Sequence, residues 1–133
     1  MKYVQSAPLL RRFLTVDAAF SGVCGLVLAL GAGALAPLLG LPHQLVLGAG
    51  IFLLPYAAFV GWLGQRADLP RALVWFVVAG NILWTLESVI LLFSGQVAPT
   101  TFGIAVVVIQ AAAVALFAEM QALGLTRSTP IPA

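Results

Sequence analysis

Four long apolar stretches, at about 13–35, 45–63, 71–93 and 102–123, fill most of this 133-residue chain. Each is close to the ~20 residues a helix needs to cross ~30 Å of hydrocarbon. Between them lie turn residues: Pro37, Gly40 and Pro42, then Gly64 through Pro70, then Ser94-Gly95 through Pro99. In lipid every backbone polar group must be satisfied within the protein, so a spanning segment is a helix or a strand of a closed barrel. These stretches are too long and too evenly apolar for barrel strands. The connections are short, so neighbouring helices run antiparallel. The expected fold is all-α: one four-helix transmembrane bundle built as two antiparallel hairpins.

Composition agrees. The chain is 62% hydrophobic and 8% charged, against roughly 25% charged in soluble domains. A soluble fold of this size still exposes about a third of its surface and has too little polar surface to cover it. The run after Arg11-Arg12 resembles a signal peptide, but it is long and carries Asp17, so an uncleaved first helix is expected. Lys2, Arg11 and Arg12 precede the first span, Arg66 and Arg71 flank the second connection, and Arg127 follows the fourth span. In a four-span chain those segments share one side. The positive-inside rule then places both termini in the cytoplasm. Six scattered Lys/Arg residues form no nucleic-acid footprint.

The first span repeats small residues at steps of four: Ser21, Gly25, Ala29 and Gly33, headed by Asp17. Such stripes let helix backbones approach closely. The fourth span offers a counterpart in Gly103, Val107, Ala111, Ala115 and Glu119. The two stripes are expected to face helices, within one chain or between subunits, which points to a homo-oligomer or a larger membrane complex. Asp17, about 7 Å into its helix, and Glu119 are expected to ion-pair at the interface with Arg11, Arg12, Arg66 or Arg71.

Glu87 stands apart, ~24 Å along the third helix from Arg71, on the side without Lys or Arg, where only His43 of the first connection offers a cationic partner. A carboxyl without a cationic partner in a low-dielectric setting is what proton-coupled binding sites exploit. The same helix carries Asn81, Trp84, Thr85 and Ser88, and Asn81 is expected to pair with Gln110 of the fourth span near mid-membrane. With Tyr56, beside Pro55 of the second span, these residues line a polar pocket or serve as inter-helix glue.

Catalytic chemistry has little to work with. One Cys and one His make no zinc, iron–sulfur or bis-histidine haem site. The lone lysine, Lys2, lies outside the bilayer. No nucleophile–base pair or phosphate loop is present. The expectation is a non-enzymatic membrane protein without cofactor or metal, structural or accessory, that associates through small-residue faces. The alternative is a small transporter or binder of an apolar or cationic compound using Glu87.

The run Ala79-Gly80-Asn81-Ile82-Leu83-Trp84, with Ser88, Pro99-Thr100, Gly103, Gln110 and Ala118-Glu119, resembles a group of small bacterial four-span membrane proteins of no known activity. That resemblance implies a bacterial inner membrane and nothing about chemistry; Glu87 departs from the small or apolar residue expected there. Small multidrug-resistance transporters are similar only in size and span number. Their membrane glutamate lies in the first helix, where this chain has Asp17.

Overall fold

The computed structural model describes residues 2–132. Four helices carry the fold: α1 (Pro8–Leu39), α2 (His43–Gln65), α3 (Arg71–Phe93) and α4 (Thr101–Thr126). All four are long and apolar enough to cross a membrane. Three short strands, β1 (Tyr3–Gln5), β2 (Asp68–Pro70) and β3 (Thr129–Pro130), form an antiparallel sheet in the order β2-β1-β3. The sheet joins both terminal segments to the α2–α3 connection, so those three regions lie at one end of the bundle, here called the sheet end.

Large apolar side chains face outward on every helix, with Leu30 and Phe93 both 85% exposed. The buried set includes Asp17, Ser21, Asn81 and Gln121. A water-soluble bundle has the reverse arrangement. With lipid as the solvent, burying leucine between helices gains little, so close packing and hydrogen bonds hold the interior.

Pro8 opens α1, where a missing N–H costs nothing. The helix thus starts five residues earlier than the apolar stretch indicates, and it runs through Pro37 in its last turn. Gly40 ends it in the left-handed region (φ 68°), and the Leu41 N–H bonds back to the Ala36 carbonyl at 3.0 Å. Thr100 caps α4 by accepting from the Gly103 N–H at 3.0 Å, and its hydroxyl donates to the Leu38 carbonyl at 2.8 Å.

α1 packs against α2 and α4, and α3 packs against α4; α2 and α3 scarcely approach at the backbone. Two apolar cores lie along the axis. Val4, Leu10, Leu14, Val60, Leu63, Leu69, Val74, Val77 and Leu125 plug the sheet end, and Ala32, Ala36, Leu39 and Val46 fill the far end.

Candidate functional site: a polar knot of four helices

One turn inside the sheet-end plug, each helix contributes a polar side chain to a single point. Asp17 of α1 is 1% exposed and Gln121 of α4 is fully buried. Asp17 Oδ2 accepts from Gln121 Nε2 at 2.8 Å, from Asn81 Nδ2 of α3 at 3.0 Å and from the Tyr56 hydroxyl of α2 at 2.9 Å. Asp17 Oδ1 accepts from Ser21 Oγ at 3.0 Å. Asn81 Nδ2 also donates to Gln121 Oε1 at 2.9 Å, and Tyr56 Oη reaches Asn81 Oδ1 at 2.8 Å.

The donors and acceptors close on themselves. The two Asn81 N–H groups serve Asp17 and Gln121; those of Gln121 serve Asp17 and, at 3.4 Å, the Phe13 carbonyl. Tyr56 has one proton and two acceptors within reach, so its hydroxyl sits between Asp17 and Asn81. Among the described residues, no buried side-chain nitrogen or oxygen lacks a partner.

This arrangement corrects the expected interfacial ion pair of Asp17. Because α1 starts at Pro8, Asp17 lies about 14 Å along the helix, past Leu10 and Leu14 in the plug, and its partners are neutral. Arg11, Arg12, Arg66, Arg71 and Glu119 are exposed. The Arg66 guanidinium stacks over Trp62 at 4.9 Å, and its Nε donates to the Asp68 backbone carbonyl at 3.3 Å.

The expected Asn81–Gln110 pair is corrected as well. Gln110 belongs to a second cluster farther from the sheet, where its Oε1 accepts from Trp84 Nε1 at 2.8 Å. Its Nε2 donates to Ser88 Oγ at 3.0 Å and to the Val107 carbonyl at 2.9 Å. Asn81 finds Gln121 instead. The six candidate pocket residues therefore divide: Tyr56 and Asn81 join the knot, Trp84, Ser88 and Gln110 join the second cluster, and Glu87 joins neither and is exposed.

The small-residue stripe of α1 meets α2 rather than α4. A Cβ on Gly25 would lie 3.1 Å from the Gly50 carbonyl oxygen and from Leu53 Cβ. A Cβ on Gly50 would run into the Ala29 nitrogen and come within 2.9 Å of the Gly25 oxygen. Ala29 is half-buried, and Gly33 faces outward with open space around it. The reason is helical drift: four residues turn 400°, so each step of four rotates 40° off the starting face.

Buried α4 positions alternate steps of four and three: Val107, Ala111, Val114, Ala118, Gln121 and Leu125. That 3.5-residue period includes Gln121, which reading in fours missed, and leaves Glu119 exposed. Ala115 is half-buried beside a groove of about 250 Å³ between α3 and α4.

No family model, curated protein or solved structure matches the chain. The geometry therefore carries the functional reading by itself: this is a multi-pass, four-helix membrane protein.

Proposed function

We propose that the protein is a non-enzymatic accessory protein of a bacterial inner membrane, with both termini cytoplasmic, that self-associates in the plane of the bilayer. Among the described residues the buried polar side chains all have partners within the protein, so a role in binding falls to the membrane-facing surface. The observation that carries the reading is the α3–α4 groove, which is lined by Thr85, Ser88, Val107, Ala111, Ala112 and Ala115. Alanines at such a site let a second helix approach closely. Gly25 and Ala29 of the α1 stripe are already engaged with Gly50, so the stripe is a weaker associating face than the groove.

Cysteine crosslinking in native membranes tests this, in a Cys24→Ser background. Ala112→Cys is expected to crosslink to a second copy, and Leu30→Cys, exposed on α1, is not. Equal crosslinking at both positions, or none at either, overturns the reading. Labelling of Lys2→Cys from the cytoplasmic side, and of Gln96→Cys from the opposite side, checks the orientation.

A further inference from the structure

The α2–α3 joint is bridged by side chains rather than by close backbones. Phe59 meets Phe76 edge-on with centroids 6.3 Å apart, Tyr56 meets Asn81, and Phe52 stacks with Trp84 at 6.0 Å and 12°. Those pairs are in antiparallel register, and one further turn toward the far end brings Gly48 opposite Glu87. Glu87 is eleven residues from Phe76, about three helical turns, so it returns to the side of α3 that Phe76 turns toward α2. A Cβ on Gly48 would meet nothing within 4 Å, so the α2 side of the joint is open at this level.

The platform below this space is fixed. Phe52 also stacks with Tyr56 at 6.3 Å and 18°. Trp84 is held from behind by Gln110, which Ser88 holds in turn. All six Lys and Arg residues lie in segments at the sheet end, so no guanidinium or ammonium stands beside Glu87; His43, exposed at the start of α2 and five residues before Gly48, is the one basic side chain at the far end. A carboxyl beside flat aromatic faces, open to lipid, matches a cation with an apolar body.

We propose that the far end of the α2–α3 joint binds an apolar organic monocation entering sideways from the bilayer, its charge against Glu87 and its body against Phe52 and Trp84. The site is separate from the α3–α4 groove, so it stands or falls independently of self-association.

Equilibrium binding of radiolabelled tetraphenylphosphonium to the full-length protein in a neutral maltoside detergent tests it. Wild type is expected to bind saturably. Glu87→Gln and Gly48→Leu are each expected to weaken binding at least tenfold, and Glu119→Gln, in the sheet-end half of α4, to leave it unchanged. Unchanged thermal unfolding of Glu87→Gln shows that the loss is not misfolding. Three results overturn the proposal: no saturable binding above empty micelles, equal binding by Glu87→Gln, or equal losses from Glu87→Gln and Glu119→Gln. Full displacement by added phosphatidylethanolamine also overturns it, because the occupant is then the ammonium of a lipid headgroup.

Discussion

Replacing Asp17 with leucine removes the acceptor on which three other helices converge. Oδ2 takes hydrogen bonds of 2.8 to 3.0 Å from α2, α3 and α4. Inter-helix hydrogen bonds in membranes are worth about 0.6 kcal/mol each on average, which sets a floor near 2 kcal/mol. The larger cost is the buried Asn81 and Gln121 N–H groups left facing leucine, at about 1–3 kcal/mol each. The expected loss is therefore about 2–6 kcal/mol, measured by reversible unfolding in mixed detergent–lipid bicelles.

Asp17→Asn is the discriminating partner variant. Its one oxygen can remain facing Asn81 and Gln121, and its amide can turn toward Ser21, whose hydroxyl accepts as well as donates. The expected loss is about 1 kcal/mol. Gln121→Leu should cost less in the Asp17→Leu background than in wild type, because the shared bond is already gone. A loss below about 0.5 kcal/mol for Asp17→Leu, or strict additivity with Gln121→Leu, refutes the knot as a source of stability.

Other positions test the packing. Gly50→Ala should destabilise by about 1–3 kcal/mol, because its methyl meets α1 backbone that cannot move aside. Gly80→Ala, with open space around it, should be neutral or stabilising by up to about 1 kcal/mol; equal unfolding midpoints for the two variants contradict this packing. Val4→Asp puts a carboxyl into the plug, where Val4 is 2% exposed, and should speed proteolysis of the 66–67 connection. Gln110→Leu should cost about 1 kcal/mol and move the Trp84 indole N–H resonance, leaving the Tyr56 resonances in place.

The spans were legible because hydropathy over ~20 residues is insensitive to the exact position of any one side chain. Side-chain partners depend on rotation, and there the reading in fours accumulated error. Ser21 and Gly25, close to Asp17, fell on the buried face; Gly33 and Glu119, at the far ends of their stripes, had drifted off it. Gln121 was recoverable from the alternation of four and three that begins at Val107. The sheet was not legible. Its strands are two or three residues long and contain Pro70 and Pro130, so nothing in Tyr3–Gln5 marks a strand until the bundle brings the three segments together.

The placement of Asp17, Asp68 and Glu87 follows from what each location can offer. At the sheet end Asp68 is exposed beside Arg66 and Arg71, where a solvated layer of water and headgroups needs no precise geometry. A guanidinium at the depth of Asp17 would have to leave that solvated layer, at considerable cost. Neutral donors avoid this, but each supplies only a hydrogen bond, so several must arrive together. One donor from each of α2, α3 and α4 meets the requirement, and only when all three helices are at the correct depth and rotation. In a bilayer the apolar surface discriminates weakly between helix registers. An acceptor that is satisfied in a single arrangement supplies the discrimination that lipid-facing leucines cannot. Among the described residues no such set of donors surrounds Glu87, which leaves its carboxyl free for a partner from outside the chain.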